Sequence, residues 1–373
     1  MTDIPHRWAI AGPTAVGKTA VGIAVAQHLG SACISADAVA VYRTLNIGSA
    51  KPTPEEQQSI PWYGIDLVNP TDEFTVQDFT SHTEGVLTEY AARGLTPVIV
   101  GGTGLYIRPI LATLSIPPVG PQPELRAAWS EEAAIHGTAL LHERLQKVDP
   151  ESAERMPPAD LKRIMRALEV YAVTGKPMSS WRTPEGVHGI PKPGARLIVM
   201  ERDMAELDVR INARVQQMMS DGFLAEVEGL LAAGIPPDAK AMLSLGYRHL
   251  VEYLMGKRGY DATVDAIAQD TRRFARRQRT WFRGDPMTEW LTIDAGEAVL
   301  GQRRVNDALG AEFFQQTLGH GVAATVFAHV LAHHEAAGIG QQRVADRLLA
   351  GFAVGHPEGF EAAHGAASCT TLS

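Results

Sequence analysis

Short apolar runs alternate with helical periodicities along most of this chain. The runs at 8–11, 32–35, 65–68, 98–101, 197–201 and 290–293 have the length and content of buried strands. Between the third and fourth, Val76, Phe79, Val86, Leu87 and Tyr90 recur at helical spacing and Gly94 supplies a stop, which predicts one amphipathic helix over 75–93. Strands alternating with helices make an α/β fold, a parallel sheet covered by helices. From about 115 to 195 the strand signal vanishes. That stretch opens with Pro117, Pro118 and Pro121, carries helical patterns and closes with Pro191-Lys192-Pro193-Gly194. The pattern predicts a core domain at 1–114 and 196–299, a helical insertion domain at 115–195 and a helical C-terminal tail at 300–373.

The first run leads into Gly12-Pro13-Thr14-Ala15-Val16-Gly17-Lys18-Thr19, a complete phosphate-binding loop (P-loop) pattern. Gly12 and Gly17 permit turns that bring successive N–H groups together, Lys18 adds a point charge, and the Thr19 hydroxyl suits Mg2+. The bland alternative is a glycine-rich turn, which the flanking strand and helix disfavour. Asp37 follows the second run. Neighbouring strand ends of an open parallel sheet share one crevice, so Asp37 is expected beside the loop, where a carboxylate can take a proton. Its bland reading is a cap or solvated loop carboxylate.

Cations cluster further on. The stretch 271–283 holds Arg272, Arg273, Arg276, Arg277, Arg279 and Arg283 with no acid, while Ile267, Phe274 and Trp281 recur every seven residues as the expected buried face. Arg272, Arg276, Arg279 and Arg283 then form an exposed stripe, either solvated or facing a phosphate backbone. Lys162, Arg163 and Arg166 lie off a second apolar face, Leu161, Ile164, Leu168 and Tyr171. Arg210 and Arg214, four apart, can clamp a diphosphate.

Composition narrows the class. A chain of 373 residues that is 45% hydrophobic and 20% charged is ordinary for a globular protein, and a net charge of −8 makes the local cationic stripes the informative feature. Two cysteines, Cys33 and Cys369, exclude a disulfide framework. The start of the chain lacks a signal-peptide plan and no run approaches a membrane span, so a cytoplasmic protein with no membrane partner is expected, and a monomer. His329 and His333 share a helical face in the tail without an evident third ligand, so a surface helix is favoured over zinc.

The ordered blocks resemble the tRNA dimethylallyltransferase (tRNA isopentenyltransferase) family over roughly residues 8–293. They are the octapeptide at 12–19, Ile-Ser-Ala-Asp at 34–37, Asn46 to Pro52, Gly-Gly-Thr-Gly-Leu-Tyr at 101–106, Arg-Ala-Leu-Glu-Val-Tyr at 166–171, Leu245-Gly246-Tyr247-Arg248 and Ala-Arg-Arg-Gln at 275–278 before Thr-Trp-Phe-Arg. The resemblance implies transfer of a dimethylallyl group from dimethylallyl diphosphate to N6 of the adenosine immediately 3′ of the anticodon, in tRNAs reading codons that begin with U. It implies Thr14, Asp37 and Arg214 as the catalytic trio, with Mg2+ at Thr19. Thr103, Arg126, Lys162, Arg163, Arg166, Gly246, Tyr247 and Arg248 match positions that touch tRNA, joined by Asp37, Ala38, Val39 and Ala40 and by Arg272, Arg276 and Arg279. Ala38 and Ala40 depart from the family's usual Ser and Gln, and Trp62 and Tyr63 stand where histidine is frequent. The rival readings are a P-loop small-molecule kinase, an isopentenyltransferase acting on free adenine nucleotide, and a nucleic-acid-binding protein without catalysis.

Overall fold

The computed structural model describes residues 6–57, 59–114, 117, 119–181 and 189–293. The tail at 300–373, with Cys369, His329 and His333, lies outside them. The first stretch of the chain runs β1 (Arg7–Ala11), α1 (Lys18–His28), β2 (Cys33–Ala36), α2 (Pro54–Gln57), β3 (Trp62–Tyr63), α3 (Val76–Ala91), β4 (Val98–Gly101) and α4 (Gly104–Leu111). A second unit then contains β5 (Ala112–Thr113), α5 (Pro123–His136), α6 (Thr138–Val148), α7 (Pro150–Arg155), α8 (Leu161–Thr174) and β6 (Ile190–Pro191). The chain returns to the first unit with β7 (Ala195–Glu201), α9 (Met204–Ser220), α10 (Phe223–Ala232), α11 (Tyr247–Leu254), α12 (Tyr260–Arg283) and β8 (Thr288–Thr292).

The six strands of the first unit form one parallel sheet in the order β3-β2-β4-β1-β7-β8. Side chains alternate between its faces. Ala9, Ala11, Ile99, Leu197 and Val199 enter one apolar core with Phe79, Tyr106, Phe223 and Phe282. Ile10, Val98, Val100, Ile198 and Met200 enter a second core with Val16, Leu207, Ile211 and Ala275. Both faces are covered, which is why these strands read as continuous apolar runs rather than as an alternating pattern. Helix α3 starts where predicted: Thr75 and Asp78 form a reciprocal capping box.

Two expectations fail for physical reasons. Residues 65–68 are not the third strand; β3 is Trp62–Tyr63, and Val68 makes only an isolated bridge to Tyr42. Gly64 (φ 74) and Asp66 (φ 54) turn the chain out of the sheet, and the amides of Asp66, Leu67 and Val68 bond instead to the carbonyls of Ala40 and Val41. On α12 the buried side is Val264, Ile267, Ala268, Ala275 and Phe282, while Phe274 is half-buried and Trp281 is 48% exposed. A seven-residue repeat drifts about 20° per heptad on a straight helix, so the third member of the 267–274–281 series has rotated off the core.

The second unit has its own core of Leu141, Leu145, Ile164, Ala167 and Leu168. It spans Ala112–Lys192 and is helical apart from the two-residue antiparallel pair β5–β6. Buried Glu169 accepts from Arg126 Nε and Nη2 (2.8 and 2.9 Å), from Arg166 (2.6 Å) and from the Gln122 amide (2.7 Å). These donors hold its carboxyl at about 2, against the opposing pull of burial.

Candidate active site

The 12–19 loop turns between β1 and α1 on backbone conformations that few side chains adopt: Gly12 has φ 142, Ala15 φ 64 and Gly17 φ 107. A Cβ on Gly12 would stand 2.5 Å from the Met200 carbonyl oxygen, so the loop packs against β7 only with glycine there. Three cations hold its carbonyls. Lys18 Nζ donates to Pro13 O (2.7 Å), Arg210 Nε to Ala15 O (2.9 Å) and Arg202 Nε to Val16 O (3.1 Å). In a trans peptide the next N–H points opposite to the carbonyl, so fixing these oxygens fixes the directions of the Thr14, Val16 and Gly17 amides. Arg210, read from the sequence as half of a diphosphate clamp, is thus engaged with the loop backbone.

One cleft is lined by Thr14, Lys18, Thr19, Asp37, Arg214 and Gln278. Asp37 follows β2. Its Oδ1 accepts from the amides of Val39 (2.8 Å) and Ala40 (3.2 Å), and Oδ2 takes no hydrogen bond from the described residues. One oxygen therefore does the capping of the bland reading while the other is open to chemistry. The Thr103 hydroxyl, at the end of β4, accepts the Ala38 amide (3.2 Å), which ties the two strand ends together.

Electrostatics link these groups. Burial pushes the Lys18 amine down to about 7, helped by the Arg214 charge and opposed by Asp37. Burial also lowers the Arg214 guanidinium below its ordinary value, with Asp37 the largest opposing influence. Two cations drawn out of water beside one carboxylate leave a net positive cleft, which favours a polyanion.

Gln278 closes the Ala-Arg-Arg-Gln block, but as one residue of an arginine run it is given no role at this site by the sequence. Its Oε1 accepts the Thr14 amide (2.9 Å) and its Nε2 donates to Gly102 O (3.0 Å). A Cβ on Gly102 would lie 2.1 Å from that nitrogen. Trp62 of β3 also lines the cleft, and its buried indole N–H finds no partner among the described residues.

Comparison with known proteins gives the family. A family model described as IPP transferase matches residues 40–285, and one described as isopentenyl transferase matches residues 5–63. The chain is 44% identical over 289 residues to a tRNA dimethylallyltransferase of Symbiobacterium thermophilum, covering 78% of this chain and 90% of that one. Among solved structures it is similar to a tRNA delta(2)-isopentenylpyrophosphate transferase from Staphylococcus epidermidis, with a TM-score of 0.60 at 31% identity over 84% of this chain and 100% of that one. A full-length tRNA isopentenylpyrophosphate transferase from Bacillus halodurans has a TM-score of 0.60 at 29% identity, over 89% of this chain and 100% of that one.

The chain belongs to the IPP transferase family.

In this IPP transferase the residues expected to touch nucleic acid separate into accessible and inaccessible sets. Tyr247 is fully buried, T-stacked on Phe223, and its hydroxyl donates to Glu226 (2.6 Å). The same carboxylate accepts the amides of Asn46, Ile47 and Gly48, so Tyr247 supports the 46–48 turn and offers no surface to a ligand. Gly246 is buried beside it at φ 89, yet its backbone lines the cleft. Ala40 is 2% exposed and Val39 half-buried, both on the cleft wall, whereas Ala38 is open. In the second unit Arg126 and Arg166 serve Glu169, Arg163 pairs with Asp160, and Lys162 is exposed.

The arginines of α12 are likewise more engaged than their run suggests. Arg276 pairs with Asp208 (2.7 Å), Arg279 with Glu201 (3.1 Å) and Arg273 with Asp270 (3.2 Å). Arg272 donates to Asn212, and Arg248 donates to Asp270 (2.5 Å). The acids come from α9 and β7 or lie just before the run, so the absence of acid within 271–283 did not mean an unbalanced stripe. Arg277 and Arg283 have no acidic partner among the described residues. Among the described residues no group of three or more His, Cys, Asp or Glu could hold a metal, and no helix is long and apolar enough to cross a membrane.

Proposed function

We propose that this IPP transferase carries a dimethylallyl group from dimethylallyl diphosphate to the exocyclic N6 of the adenosine immediately 3′ of the anticodon, in tRNAs reading codons that begin with U. The relatives named above support the reaction class. The observation that carries the assignment of roles is the single cleft shared by Thr14, Lys18, Arg214 and Asp37, with Asp37 Oδ2 uncommitted.

The allylic C–O bond breaks and an N6–C bond forms. Charge accumulates on the departing diphosphate, where the loop amides, the Thr14 hydroxyl, Lys18 and Arg214 stabilise it more in the transition state than in the ground state. The N6 proton passes to Asp37 Oδ2. Thr19, an oxygen donor on the cleft wall at the first turn of α1, would hold a Mg2+, which when bound would supply charge neutralisation to the leaving group. Adenine in a helical stack cannot enter such a cleft, so the nucleotide turns outward.

The test is incubation of the protein and Mg2+ with dimethylallyl diphosphate and either an anticodon stem-loop or AMP, followed by mass spectrometry of the nucleosides. Prenylated adenosine from the stem-loop alone supports the reading. Modified AMP would support the free-nucleotide transferase, and phosphate transfer from ATP to a metabolite the kinase. Asp37→Ala should lower turnover by a factor on the order of 10² to 10⁴ with stem-loop affinity retained.

A further inference from the structure

Trp281 does not belong to the core of α12. Its indole is 48% exposed, and Leu105, beside its neighbour Gly104, is 55% exposed. A Cβ on Gly104 would stand 2.0 Å from the indole Nε1, so the absence of a side chain at the start of α4 lets the ring edge rest on backbone while much of its surface stays open. Three residues of α12 share a stripe there. Phe274, Arg277 and Trp281, at i, i+3 and i+7, fall within an arc of about 60° and span about 10 Å along the axis. Phe274 lines the cleft that holds Asp37, and the Arg277 guanidinium lies 5.7 Å from the Phe274 ring centroid. The stripe therefore runs outward from the reaction site as a succession of flat surfaces, ring, guanidinium and indole. Arg277 and Arg283, four residues before and two after Trp281, have no acidic partner among the described residues.

Taking the proposed function as its basis, we propose that Phe274, Arg277 and Trp281 form a stacking strip for the unpaired bases flanking the target adenosine, with Trp281 as the outer platform. Aromatic rings and a guanidinium interleaved with free cations fit a single-stranded loop, whose bases stack and whose phosphates meet the charges. An apolar protein surface laid on the same strip would bury the Arg277 charge without a counterion, which is costly. Once extruded, the adenosine leaves its neighbours with an exposed face each, and the strip supplies the replacement.

Steady-state prenylation of an anticodon stem-loop at saturating dimethylallyl diphosphate tests this with Trp281→Ala, Trp281→Leu and Trp281→Phe. Alanine should raise the stem-loop KM on the order of tenfold, the usual loss for one base stacked on an aromatic ring, with kcat and the donor KM within about twofold. Phenylalanine should recover most of the loss and leucine little of it. On stem-loops made abasic at the nucleotides flanking the target, the alanine variant should show no further penalty. An equal penalty on abasic and intact stem-loops, or recovery by leucine as full as by phenylalanine, would overturn the strip. So would a changed sedimentation behaviour with unchanged stem-loop KM, which would make Trp281 a contact between copies. Failure of the wild-type protein to prenylate any stem-loop is a different result, and it falls on the proposed function.

Discussion

Gln278 reaches across 264 residues of chain to accept the Thr14 amide, while its other amide atom donates to Gly102 O. The 12–19 loop and the strand end that carries Thr103, and through it Ala38 beside Asp37, are thereby held by one side chain.

Replacing Gln278 by Leu should strand the Thr14 N–H and the Gly102 oxygen, at about 1–3 kcal/mol for each group left without a partner. Urea unfolding measures that loss. Because the two halves of the site lose their mutual spacing, kcat should fall more than the donor KM rises. Unchanged stability would show that neither bond contributes.

Lys18 sets a pH dependence. Its pKa in the folded protein is about 7, against an ordinary value of 10.5, so between these pH values the unfolded chain binds more protons than the folded one. Its contribution to stability therefore rises with pH across that window, and the burial penalty is complete below 7. A bound diphosphate recharges the amine. Above pH 7 donor binding should take up a proton and weaken by up to tenfold per pH unit. Calorimetric titration at pH 8 in two buffers of different ionisation heat measures the uptake, and Lys18→Met should abolish it.

The α12 arginines should differ in how much they contribute to salt-dependent tRNA binding. Arg277→Ala or Arg283→Ala should reduce the slope of log affinity against log salt by about 0.7–0.9 unit for each lost phosphate contact. Arg276→Ala and Arg279→Ala should change it by less than about half that, since Asp208 and Glu201 hold those side chains. Equal slopes for all four variants would show that the acids release their partners on binding.

Tyr247→Phe should behave as a structural change. Glu226 keeps three backbone donors and loses the tyrosine hydroxyl, a charge-assisted bond with a net value of about 1.5–3 kcal/mol. Thermal unfolding should register it while the stem-loop KM stays constant. A KM effect without destabilisation would contradict the buried placement.

Much of this fold was legible because its signals are local. The 12–19 loop is contiguous, and its glycines, lysine and threonine act through the turn they occupy. Strands buried on both faces announce themselves as apolar runs, and the Thr75–Asp78 capping box lies within four residues. What could not be read depends on partners far along the chain. Gln278 has no meaning until α12 lies over Thr14 and Gly102. Asp208 and Glu201 turn an apparently bare cationic stripe into ion pairs. Tyr247, within a motif block, is identified as internal only by its contact with Glu226. The heptad spacing of Trp281 was misleading because a seven-residue repeat carried over about four turns accumulates a rotation of tens of degrees.

Strand β1 lies between β4 and β7, and β7 is made only after the whole second unit. On the ribosome the innermost strand of the sheet must therefore wait with one edge bare until Glu201 has emerged. At roughly 5–20 residues per second that wait lasts several seconds. The bond that Gln278 makes to the 12–19 loop waits longer, since Gln278 lies near the end of α12. Nascent chains halted before that point should be readily cut by protease, and those released beyond it should resist.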